Sequence, residues 1–189
     1  MKKQVMKCRK SLVCNMIGII DVTLVRDVIS KIEMMPPDCA TRVCLMINSQ
    51  GGSVPVALAF AGYLRSLPHH IVAYNMAHCD SAAILIFAAA HERIAKESSS
   101  FMFHPPCVHL NGKLTLRELS AELKRLKTDT KSMIGFLSEI TSLDRAHLAE
   151  WMEHGEHIYS ARQALQMGIA TSIEPIVGTP LCNSFSPMK

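Results

Sequence analysis

A chain of 189 residues, 49% hydrophobic and 19% charged, suits one core large enough to need no staples, which excludes a disordered protein and a small disulfide scaffold. The formal charge of +4 comes from scattered Lys and Arg, with one cluster at Lys2, Lys3, Lys7, Arg9 and Lys10 and no basic stripe interleaved with aromatics, so nucleic acid is not an expected partner. The seven cysteines are odd in number and form no CxxC pair, which points to a reducing cytoplasm; the longest apolar run, Ala82 to Ala90, is too short to span a bilayer, and the basic start lacks the apolar stretch of a signal peptide, so no membrane association is expected.

Leu12 to Ile20 reads as a strand and Val22 to Met34 as a helix closed by Pro36-Pro37. Arg42 to Ile47 is a β-rich buried strand followed by the Gly51-Gly52 turn. Val54, Ala57, Leu58, Ala61 and Leu64 then repeat at helical spacing, so a helix runs from Val54 to Leu67 until Pro68 stops it. Ile71 to Asn75 is the next short strand, and the small apolar residues from Ser81 to Ala90 form a fully buried helix. Arg93 to Ala95 and Phe101 to Phe103 are further short strands. Alternating strands and helices of this kind predict an α/β fold with a mainly parallel sheet and crossover helices.

From Leu116 the pattern changes. Apolar residues at 116, 119, 123, 126, 133, 137 and 140 form a heptad seam broken only by Thr130, and Thr115 with Glu118 makes a capping-box pattern at its start. About 25 residues of helix, from about 115 to 141, would measure roughly 37 Å at 1.5 Å per residue. The helix is read as a projecting arm that packs against another subunit; the alternative is a helix lying across its own sheet. Asp144 to Met152 and Ser160 to Met167 are the last helices. The chain thus divides into a short basic extension (1–11), a single domain (12–178) and a loose tail (179–189).

Acyl transfer needs a nucleophile, a base that takes its proton, and donors for the oxyanion that develops on the carbonyl. Gly51 and Gly52 follow a buried strand, where backbone N–H groups can approach a substrate carbonyl, and the N–H of Ala82 supplies a second donor. Ser81 stands at a helix N-terminus, where the dipole favours negative charge; the plain alternative is an ordinary N-cap. His104 ends an apolar strand that Pro105 and Pro106 prevent from continuing, the place of a base or of a structural histidine. Two further groupings are weaker. His154-Gly155-Glu156-His157 lacks the i, i+4 helical spacing of a zinc site, so no metal is expected. Cys79 and Cys107 flank the proposed site as conceivable nucleophiles, read instead as buried structural thiols.

Three motifs in this order resemble the ClpP-like serine protease family, the proteolytic subunits of the Clp protease. The family's Asn-Ser-Pro-Gly-Gly-Ser-Val loop is similar to Asn48-Ser49-Gln50-Gly51-Gly52-Ser53-Val54, its nucleophile segment to Asp80-Ser81-Ala82-Ala83, and its Met-Ile-His-Gln-Pro base to Met102-Phe103-His104-Pro105-Pro106. The family's closing pattern is similar to the stretch from Ile158-Tyr159-Ser160-Ala161 to Gly168-Ile169-Ala170-Thr171, so the resemblance covers about Leu12 to Ile173. It implies a spiral of strand-helix units shared with the crotonases, and the long helix falls where the family has its handle, which interlocks two rings. It implies catalysis by Ser81 and His104, with Gly51, Gly52 and Ala82 as the oxyanion hole. The family's acid, usually Asp, lies four positions before the Ser of the closing pattern, and here that position is Glu156; Asp144 or Glu153 could substitute. Asp80, where small neutral residues are usual, and Gln50, in place of the loop proline, are further departures.

The function expected is therefore a serine endopeptidase working inside a closed oligomer. The alternatives are a catalytically weak or silent subunit with an assembly or regulatory role and a crotonase-type acyl-CoA enzyme. The resemblance implies self-assembly into rings, peptide or protein substrates and often an ATP-driven unfoldase as partner. No cofactor is expected, and without a Walker motif any ATP use must belong to the partner.

Overall fold

The computed structural model describes residues 11–35, 42–110 and 112–175. The expected Pro36-Pro37 stop, the N-terminal extension up to residue 10 and the tail from 179 lie outside them. In chain order the elements are β1 (Ser11–Ile20), α1 (Val22–Glu33), β2 (Arg42–Gly52), α2 (Val54–Ser66), β3 (His70–Asp80), α3 (Ala82–Ala88), β4 (Glu92–Ala95), β5 (Ser100–Phe103), α4 (Leu116–Ile140), α5 (Arg145–Glu153), β6 (His157–Ser160), α6 (Ala161–Gln166) and β7 (Ser172–Ile173).

The strands form one sheet in the order β1-β2-β3-β4-β7, with β5 joined to β3 and β6 joined to β5. Every pairing is parallel except β5 with β6. Parallel neighbours need crossover connections, and α1 and α2 provide them between β1, β2 and β3. β3 forks the sheet: Val72 to Asn75 pair with β4, whereas His78 to Asp80 pair with β5. Asn75, fully buried at the fork, donates from Nδ2 to the Ser100 carbonyl at 2.8 Å and so ties the diverging strand back.

β2 and β3 extend further than their sequence patterns predict. The Gly51-Gly52 pair lies in β2 and is not a turn, with Ile19 and Ile20 of β1 facing it in register. A polar residue contributes to that continuation. Ser49 Oγ donates to the Gly18 carbonyl at 2.6 Å and accepts from the Gly51 N–H at 3.1 Å, bridging a register shift between Ile17 and Ile19.

The core lies between the sheet and α2, α3 and the second half of α4, and it includes Phe60, Phe87, Phe101 and Phe103, each no more than 1% exposed. Burying one such side chain contributes about 1.5–3 kcal/mol. All seven residues of α3 are buried, which its run of small and apolar residues allows. α4 is unequal along its length. Leu116, Leu119 and Leu123 are exposed, whereas Met133 and Leu137 are buried, so only the second half of the heptad seam packs on this protomer. The predicted capping box of Thr115 and Glu118 closes its start. Among the described residues no helix is long and apolar enough to cross a membrane.

Candidate active site

Ser81 joins β3 to α3 at φ 54° and ψ −126°, and among the described residues no other non-glycine has a positive φ. Such a conformation is strained for a residue with a Cβ and persists only where its surroundings enforce it. Here the Ser81 N–H donates to the Met102 carbonyl at 2.7 Å, and its side chain makes no capping bond to α3. The ordinary N-cap role is thus not taken, and the hydroxyl makes no hydrogen bond among the described residues.

The two glycines of β2 do different work. A Cβ on Gly51, which has φ +93°, would lie 2.7 Å from Ser81 Cβ and 3.1 Å from the Ala82 nitrogen. A Cβ on Gly52 would instead collide with the Ile20 carbonyl oxygen. Gly51 makes room for the serine turn, and Gly52 lets β2 lie close against β1.

Ser81 and His104 open on one cleft of about 190 Å³, together with Gly52, Cys107 and two residues of α4, Arg125 and Asp129. The cleft brings the predicted nucleophile and base together, with Gly51 and Ala82 directly behind Ser81. Arg125 and Asp129 had no signal in the sequence, because their place in this wall depends on how α4 packs on α2 and α3. Cys107 is exposed, not buried as the sequence reading had it, while Cys79 is fully buried. Burial, then the neighbouring Asp80 charge, push the Cys79 thiol well above its ordinary range.

Glu156 lies elsewhere. It is exposed, at the entrance to β6 just after Gly155 at φ +98°, and it does not line the cleft. The β5–β6 register pairs Phe103 with His157, so Glu156 stands one step further along, on the β6 flank of His104. Among the described residues no hydrogen bond joins Ser81 Oγ, His104 and Glu156 side chains. His154 Nδ1 bonds the Glu150 carbonyl at 2.8 Å, and His157 stacks on Trp151, so these two imidazoles serve separate structural ends. Asp144 caps α5, its Oδ1 accepting from the His147 N–H at 2.7 Å.

Asp80 is the unexpected member of the neighbourhood. Its Oδ1 is buried without a hydrogen-bond partner among the described residues. Burial raises the Asp80 carboxyl above the ordinary carboxylate range, against opposing effects of His78, the Met102 backbone and His104.

Comparison with known proteins agrees with this architecture. A solved ClpP1 point mutant from Listeria monocytogenes superposes with a TM-score of 0.76 at 19% identity, covering 86% of this chain and 90% of that one. The fold is thus the ClpP-type α/β fold. Over residues 3–176 the sequence matches the Clp protease family, and the chain belongs to that family. It is 29% identical over 133 residues, 68% of its length, to the ATP-dependent Clp protease proteolytic subunit 4 of Rhodococcus jostii, covering 66% of that protein. It is 25% identical over 138 residues, 72% of its length, to proteolytic subunit 1 of Streptomyces avermitilis, covering 62% of that protein. The chain therefore spans slightly less than two thirds of the length of these relatives.

Proposed function

We propose that this protein is a serine endopeptidase of the ClpP type that acts in an assembly of its own copies. The observation that carries this function is the opening of Ser81 and His104 on one cleft, with Ser81 held in a positive-φ turn and freed from capping. Ser81 Oγ attacks the peptide carbonyl while His104 takes its proton. The oxyanion is held by the Ala82 N–H and by a glycine N–H at the end of β2. Of the two glycines Gly52 is the better donor, because the Gly51 N–H is engaged by Ser49 Oγ while Gly52 lines the cleft. His104 then protonates the leaving amine, and water, activated by the same imidazole, releases the acyl group. Glu156 supplies a carboxylate on the β6 flank of His104.

The exposed leucines of α4 support assembly through this arm, since an isolated protomer gains nothing from an apolar seam in water. The relatives are named as subunits of an ATP-dependent protease. By that likeness an ATP-driven unfoldase delivers substrate, and a cytoplasmic location fits the free thiols Cys14, Cys44, Cys79 and Cys107 among the described residues.

A fluorophosphonate probe tests the chemistry. Mass spectrometry should find the adduct on Ser81 and lose it in Ser81→Ala, and a folded, assembled sample without an adduct would overturn the proposal. A silent subunit is the second possibility, favoured by the exposed and unbonded Glu156. Turnover of short peptides that disappears in Ser81→Ala excludes it.

A further inference from the structure

On one face of the sheet the parallel register aligns His78 with Ser100 and Asp80 with Met102. His78 Nδ1 and Ser100 Oγ lie 3.0 Å apart, which fixes that face. Alternation carries it along β5 from Ser100 through Met102 to His104, so Asp80 and His104 are diagonal neighbours across the β3–β5 pair. The antiparallel register of β5 with β6 ends at Phe103 and His157, and continued by one step it brings Glu156 to the other side of His104. His104 therefore stands between two carboxylates. The β3 carboxylate is partly buried, with one oxygen wholly enclosed and unpartnered, and the β6 carboxylate is exposed to water.

We infer that Asp80 is the positioning residue for His104, an inference that rests on the serine peptidase function proposed above. Enclosed polar atoms in folded proteins are nearly always bonded, and the Asp80 oxygen, without a partner among the described residues, is available to accept a further hydrogen bond. The reaction supplies a donor. When His104 accepts the Ser81 proton it becomes a cation and its remaining ring N–H donates to Asp80. Asp80 thus gains a full imidazolium charge from His104, beside the weaker effects that His78 and the Met102 backbone already exert on it. An interaction stronger in the transition state than in the ground state accelerates the step, and low local polarity strengthens it. Glu156, surrounded by water, exerts a screened influence on the same ring. The carboxylate next to the nucleophile, which by itself would oppose the oxyanion, therefore acts through the imidazolium.

The test uses the full-length assembled protein and a fluorogenic peptide, comparing Asp80→Asn, Asp80→Ser and Glu156→Gln. Asp80→Asn should lower kcat by about 100-fold with KM little changed, and Glu156→Gln by less than about fivefold. The acid limb of the kcat/KM profile should move to lower pH in Asp80→Asn, because the imidazolium loses its counter-charge; His78 and Glu156 beside the strands, and Cys107, Arg125 and Asp129 in the cleft, stay in place. A purely structural role for Asp80 would not move that limb. Wild-type kcat and pH profile in Asp80→Asn would overturn the inference, as would failure of both Asp80 variants to assemble. Failure of the underlying function reads out differently, as peptide turnover that survives Ser81→Ala.

Discussion

Gly51 and Ser81 are so close that a single added carbon on the glycine would lie 2.7 Å from Ser81 Cβ. The end of β2 and the proposed nucleophile are therefore one mechanical unit, though 30 positions separate Gly51 and Ser81 in the sequence. Gly51→Ala should cost about 1–2 kcal/mol in backbone strain at φ +93° and displace Ser81. Because a misplacement of about 1 Å can cost about 100-fold in rate, kcat/KM should fall on that order. Peptide kinetics with a parallel denaturation curve separate the two effects, and unchanged kinetics would show that Ser81 does not depend on this contact.

Asp80 should trade stability for chemistry. Its folded-state pKa is raised above the ordinary 3.8, first by burial, so the fold binds that proton more tightly than the unfolded chain does. The resulting cost is absent below about 3.8, grows as pH rises through the folded pKa, and is fully present above it. Asp80→Asn should therefore melt above the wild type at about pH 7–8 while turning over more slowly. Each ~1 kcal/mol relieved raises Tm by about 2–4 °C. Thermal scans from about pH 4 to 8 check the sign, and the gap should close at the acid end.

The two halves of α4 should respond differently to substitution. Leu119→Lys with Leu123→Lys alters exposed positions and should leave protomer stability within about 0.5 kcal/mol per site. Assembly, measured by native mass or sedimentation, should be lost. Leu137→Ala, at a buried position, should cost about 2–5 kcal/mol in stability. An assembled double-lysine variant would remove the arm from the interface.

Thiol reactivity should divide by burial. Cys107 is exposed, whereas burial pushes the Cys14 thiol up to about 11 and the Cys79 thiol well up. Iodoacetamide at about pH 8 should modify Cys107 in the native protein and reach Cys14 and Cys79 only on unfolding. Peptide mapping of the alkylated cysteines decides it, and early labelling of Cys79 would contradict the enclosed site.

Most elements were legible because their signals are local. Apolar spacing gave α2, the Thr115–Glu118 box gave the start of α4, and the run of small apolar residues gave α3. What escaped depends on partners. Asn48, Ser49 and Gln50 have no β character of their own and join β2 through pairing with β1 and the Ser49 hydroxyl. His157 to Ser160 becomes β6 only because β5 lies beside it. The same limit applies to the cleft. Gly51, Gly52, Ser81, Ala82 and His104 are marked by strand ends and a helix start. Arg125 and Asp129 enter the wall through a helix crossing, and the position of Asp80 beside His104 follows from strand register. Sequence proximity alone showed only its closeness to Ser81.

The complete burial of α3 ties the fate of the Ser81 turn to that of the whole fold. Its helix has no solvent-facing side along which to slide or fray, so the serine can leave its strained conformation only when the core opens. Heat should therefore not erode the site gradually. Loss of reactivity and loss of structure should occur together, as a single cooperative event.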